Sequence, residues 1–173
     1  MNIYRNGRTF NLEIVTDESM GMPWIEHDGH GIIEHKFSPY GKPVKRAGQK
    51  IIYSENRDYW LYDIEATTKK AISEGWGLSQ AAIQGLSVRL GRAPTKREIV
   101  AEAVQVDLDY CRSFLTGEQY FIGIIVECEG FTDSLWGIES ESTDYIEEVQ
   151  NELIESVNRQ IVGRLYPVTE MGV

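Results

Sequence analysis

The chain has only two cysteines, Cys111 and Cys128, in 173 residues. Two are too few for a disulfide framework, so both are expected reduced and buried in the core. No stretch approaches the roughly 20 consecutive apolar residues of a membrane helix. The apolar run over residues 121–126 suits a buried strand instead. The opening MNIYRNGRTF has no apolar segment of signal-peptide length. Internal repeats and low-complexity linkers are missing, which points to one domain over residues 1–173. Also missing are paired Cys-x-x-Cys motifs, a His-Glu-x-x-His helix and any local Ser-His-Asp or Cys-His motif. Together these features predict a cytoplasmic protein with no membrane attachment.

What is present is an ordinary core former with an uneven charge. Apolar residues make up 42%, so disorder throughout is excluded. Residues 1–116 hold 15 acidic and 15 basic side chains, whereas residues 117–173 hold 12 acidic and two basic, Arg159 and Arg164. The net charge of −10 therefore belongs to the last third. Such a field repels nucleic acid and attracts basic surfaces, so direct nucleic-acid binding is not expected.

Periodicity and punctuation place the elements. Asn6-Gly7 is a hairpin turn signal, and Phe10, Leu12 and Ile14 alternate with polar residues after it. Residues 16–50 read as loop with short strands, and residues 50–53 as a strand. Asp63 caps a helix stopped by Gly75, and Ser79 caps a second that ends at Gly91. Thr95 and Glu98 form a capping box opening a long helix to Gly117. Its apolar positions are Ile99, Ala103, Val106, Tyr110 and Phe114. Residues 120–128 and 135–139 read as a second hairpin, across a loop containing Gly130. Ser142 or Thr143 caps a last helix with the stripe Ile146, Val149, Leu153, Val157 and Ile161. The order predicts an α+β fold, a small antiparallel sheet with three to four helices packed on one face.

All three histidines fall within nine residues, in Glu26-His27-Asp28-Gly29-His30-Gly31 and the following Ile32-Ile33-Glu34-His35. Imidazole binds divalent metals, carboxylates complete open sites, and glycines let a loop curl so that two ligands face one point. One reading is a divalent-metal or catalytic loop, with His27 and His30 as ligands and Glu26 or Asp28 as the base. The other is a polar turn whose histidines cap backbone groups or sit in solvent. The spacing matches no established ligand signature.

The last helix carries a second pattern. Asp144, Glu148, Glu152 and Glu155 recur at helical spacing opposite the apolar stripe, with Glu147 beside them and Glu139 and Glu141 just before. Neighbouring carboxylates on such a face stand about 6 Å apart, close to the spacing of phosphates along a nucleic-acid strand. They form either a binding face that imitates nucleic acid or a solvated face that confers solubility.

Two resemblances add context. Leu90-Gly91-Arg92-Ala93-Pro94-Thr95-Lys96-Arg97-Glu98-Ile99 is similar to a helix junction in region 3 of bacterial sigma factors. The helix then runs on without a turn, so the likeness is one of helix punctuation. The run Trp24 to Gly31, the turn Gly75-Trp76-Gly77 and the segment Asp133-Ser134-Leu135-Trp136-Gly137-Ile138-Glu139-Ser140 resemble a group of small proteins encoded by tailed bacteriophages. That resemblance implies a phage accessory protein working in the host cytoplasm and carries no settled activity.

Two functions from different classes follow. The first is a binder that inhibits or redirects a host protein, such as a nucleic-acid-handling defence enzyme, through the acidic residues 139–155. The second is a small metal-dependent hydrolase or nucleotide-processing enzyme built on the loop of residues 27–30. A homodimer is compatible with either.

Overall fold

Each hairpin of the fold is closed by two residues in the left-handed region, the geometry that matches strand twist. In the computed structural model, which describes residues 1–165, these pairs are Asn6-Gly7, Asn56-Arg57 and Glu129-Gly130. They join β1 (Asn2–Arg5) to β2 (Arg8–Thr16), β4 (Gln49–Glu55) to β5 (Asp58–Asp63), and β6 (Phe121–Cys128) to β7 (Phe131–Glu139). A further strand is β3 (Ile33–Phe37). The helices are α1 (Pro23–Glu26), α2 (Ile64–Glu74), α3 (Gln80–Leu90), α4 (Lys96–Thr116) and α5 (Thr143–Leu165). The fold class is α+β. The strands divide between two antiparallel sheets, β1-β2-β6-β7 and β3-β5-β4, where the sequence pattern suggests one.

The sheets belong to two compact units, one of which is discontinuous in sequence. The first unit comprises residues 1–20 together with the chain from Gln119 onward; the second is residues 21–118. In the first, β2 and β6 pair with Leu12 opposite Val126 and Ile14 opposite Ile124. Phe10, Leu12, Ile124 and Val126 face Val149, Leu153, Val157 and Ile161 of α5, all buried. The helix stripe is the one its spacing predicts, and it docks on the alternate residues of the central strands.

In the second unit the core gathers Ile52, Tyr62, Ala71, Val104, Leu108, Cys111 and Leu115. Asp63 caps α2 through its side chain, and Thr95 and Glu98 form the reciprocal capping box of α4. Glycines Gly75, Gly91 and Gly117 end α2, α3 and α4 in the left-handed conformation. The buried seam of α4 differs from the expected stripe. It runs through Ile99, as expected, and then Val104, Asp107, Leu108, Cys111 and Leu115, and Val106 is 59% exposed. The other predicted positions, Ala103, Val106, Tyr110 and Phe114, lie one step around the same helix, and the buried seam includes a carboxylate.

Charge follows the same division. The second unit holds 13 acidic and 13 basic side chains, whereas the described part of the first holds 13 acidic and four basic. Glu170, the last acidic residue, lies outside the described residues. No helix among the described residues is long and apolar enough to cross a membrane.

Candidate functional site: a buried carboxylate beneath the histidine loop

The segment between α1 and β3 is shaped by its glycines. Gly29 stands at φ +97°, which turns the chain so that His30 enters the second unit. Gly31 is buried, and a Cβ there would collide with the Tyr62 phenol, so only glycine fits. The loop is then fastened along its length. The Gly31 amide donates to Asp107 Oδ2 at 2.8 Å, and the Ile32 amide to Thr67 Oγ1 at 2.9 Å. Lys70 Nζ donates to the His30 carbonyl at 2.8 Å.

Asp107 is the centre of this arrangement. It is 9% exposed, and both of its oxygens are occupied. Oδ2 also accepts from the Tyr62 hydroxyl at 2.5 Å. Oδ1 faces His30 Nδ1 at 2.9 Å, with the Cys111 thiol at 3.8 Å. Burial, and then the adjacent Asp107 carboxylate, hold the Tyr62 phenol and the Cys111 thiol protonated far above their ordinary ranges. Both therefore serve as donors, and Cys111 is not an activated nucleophile. A buried carboxylate is tolerated only when surrounded by donors in this way.

His30 is held on two sides. Its ring stacks on Tyr110 at 5.1 Å between centroids and 9° between planes, and its Nδ1 faces the carboxylate. An ionised carboxylate only accepts, so the nitrogen facing it, Nδ1, carries a proton. His30 borders a cavity of about 440 Å³ whose walls include Trp76, Leu86, Ile99, Val106 and Tyr110. Ile99, Ala103, Val106 and Tyr110 of α4 form one wall of this cavity.

Comparison with known protein families, with curated proteins and with solved structures finds no match.

Of the predicted loop residues, Glu26 and His35 stand apart from the rest. Glu26, His27 and Asp28 are exposed. His27, Asp28 and His30 border a second, smaller depression of about 250 Å³ with Trp24 and Lys70. Among the described residues, the three side chains close enough to share a metal ion are His30, Asp107 and Cys111, whose ligand atoms lie within 4.8 Å of one another. His35 is elsewhere, on β3, paired with Asp58 at 2.7 Å and stacked on Trp60. Sequence reasoning missed Asp107, Tyr62 and Tyr110. The available signal was an aspartate inside the apolar seam of α4.

The acidic face is open. Asp144, Glu147, Glu148, Glu152 and Glu155 are all exposed on α5, opposite its buried stripe, and Glu141 is exposed just before it. None of the six forms an ion pair among the described residues. Asp144 and Glu155 are eleven residues apart, which spans about 17 Å of helix. Glu139 is half-buried at the end of β7 and does not belong to this open set.

Proposed function

We propose that this chain is a phage accessory protein that binds a basic surface of a host protein, such as a nucleic-acid-handling defence enzyme, and so inhibits or redirects it. The observation that carries the reading is the row of exposed α5 carboxylates with no basic neighbour in ion-pair contact among the described residues. Like charges at helical spacing cost a helix a few tenths of a kcal/mol per pair, so such a face is maintained at some expense to stability. A partner supplying lysine or arginine would remove that repulsion and be steered by the field at long range. The phage-protein resemblance supports the host cytoplasm as the setting.

The test is capture of partners from host lysate by the tagged chain at about 0.05 M and about 0.5 M salt, spanning strong and weak screening. A partner retained at low salt and released at high salt is expected. The variant Asp144→Asn, Glu148→Gln, Glu152→Gln, Glu155→Gln should not retain it. A partner indifferent to both salt and substitution refutes the reading.

A second reading, a metal-dependent hydrolase or nucleotide-processing enzyme, draws on the meeting of His27, Asp28 and His30 at one depression. A metal bound to the native state raises its stability. Melting with zinc, with manganese and with a chelator decides it, and three superimposable curves would remove the metal.

A further inference from the structure

We infer that the cavity beside α4 in the second unit is a binding site for a small primary ammonium ion on an apolar body, with His30 Nε2 as its hydrogen-bond acceptor and Asp107 as the group that positions His30. The inference is independent of the acidic face, because it uses different residues in the other unit.

The volume, about 440 Å³, lies within the range of small-molecule sites. Most of the lining is apolar, with Trp76, Leu86, Ile99 and Val106 forming walls for a hydrocarbon or indole-sized body. The polar lining selects the head group. Asp107 has both oxygens occupied, so it holds His30 and is not itself the ligand's partner. Glu102 donates nothing, and one of its oxygens is engaged by Arg89. The Trp76 indole N–H is turned away to Glu74 at 2.8 Å. Of the acceptors in the lining, the neutral form of His30 offers Nε2 and Glu102 offers its second oxygen. An ammonium ion supplies up to three donors and a charge that suits a carboxylate rim. Among the described residues no lysine or arginine lines the cavity, so a phosphate or carboxylate ligand would enter without a counter-charge from them. Nucleotides are therefore the wrong class for this cavity.

The arrangement of His30 is what a binding group requires. The Asp107 carboxylate sets the tautomer, Tyr110 stacking sets the ring plane, and the Lys70 contact to the His30 carbonyl fixes the backbone. The acceptor is thus oriented before the ligand arrives, which lowers the entropic cost of binding.

Imidazole nitrogen NMR of the full chain at pH 8, where histidine in water is neutral, reads the site directly. His30 should show the Nδ1–H tautomer. Tryptamine should shift its signals saturably, whereas indole-3-propionate and adenosine monophosphate should not. Val106→Trp changes an exposed residue at the rim, spares the core and fills the cavity, and should weaken tryptamine binding at least about tenfold by occupying the space of its indole. Asp107→Asn offers His30 an amide donor and should flip it to the Nε2–H form with a similar loss of affinity. Four results overturn the inference: an Nε2–H tautomer in the unmodified chain, an equal response to the anionic probes, tryptamine binding unchanged by Val106→Trp, or zinc uptake that shifts His30 and Cys111 together.

Discussion

Replacing Tyr62 by phenylalanine removes one oxygen from the most buried polar contact of the second unit. Tyr62 is fully buried, and its hydroxyl donates to Asp107 Oδ2 at 2.5 Å, with the Val104 carbonyl at 3.4 Å. The substitution keeps the ring and leaves the carboxylate with His30 Nδ1 and the Gly31 amide as its close partners. A hydrogen bond to a charged group contributes about 1.5–3 kcal/mol, so a loss of about 2 kcal/mol is expected. With a urea dependence near 2 kcal/mol per molar, the unfolding midpoint should fall by about 1 M. For a chain of this length the melting temperature should fall by about 4–8 °C. Tryptophan fluorescence follows the second unit well, since Trp24, Trp60 and Trp76 lie within it. Tyr53→Phe is the control. Its hydroxyl meets Glu55 in an exposed pair, and the change should stay within about 0.5 kcal/mol. An alkaline titration adds a second arm. Tyr62 has its ionisation pushed up in the folded state, so it binds a proton that the unfolded chain releases near pH 10. Stability should therefore decline above about pH 10, and this phenol should ionise only on unfolding. If Tyr62→Phe unfolds like the unmodified chain and its titration is unchanged, Asp107 is not held by this hydroxyl and the account of the site fails.

Other perturbations test the scaffold. Thr95→Ala removes the capping hydroxyl of α4 and should cost about 1 kcal/mol, measured by urea unfolding. Glu98 in the same box is held at about 2 by Arg92 and Thr95, below its ordinary 4.5, so its contribution is complete above about pH 4.5 and lost as pH falls towards 2. A carboxyl NMR titration checks that window. Arg57→Gly should stabilise the chain by about 0.5–1 kcal/mol, because Arg57 stands at φ +73°, where a side chain is strained and glycine is not. The four-residue neutralisation of α5 should leave the melting temperature unchanged or slightly higher while abolishing salt-sensitive capture, since it relieves like-charge contacts that the fold does not use.

Legibility in the sequence followed the local physics. Helices announced by side-chain caps and terminal glycines begin and end where Asp63, Ser79, Thr95, Gly75, Gly91 and Gly117 place them. The first hairpin was legible because Asn6-Gly7 is a turn that few other functions require. The middle hairpin was not, because Arg57 occupies a left-handed position that usually takes glycine. Without that turn, β5 and its pairing with β3 and β4 disappear from view, and with them the second sheet. The site was half legible. The glycines around His30 suggested a shaped loop, but its partners Tyr62 and Asp107 lie 32 and 77 residues further along. Only tertiary packing brings them together, and the helical period of α4 allows two adjacent stripes that apolar counting cannot rank.

The pairing of Leu12 with Val126 has a consequence for synthesis. The first hairpin emerges from the ribosome more than a hundred residues before the strand that covers it, an interval of roughly 5–20 s at ordinary translation rates. An isolated hairpin is marginal in water, so Phe10 and Leu12 stay uncovered while residues 21–118 are completed. During that interval the nascent chain presents an apolar strand of the kind that chaperones hold, and a chain halted before residue 121 could never bury it.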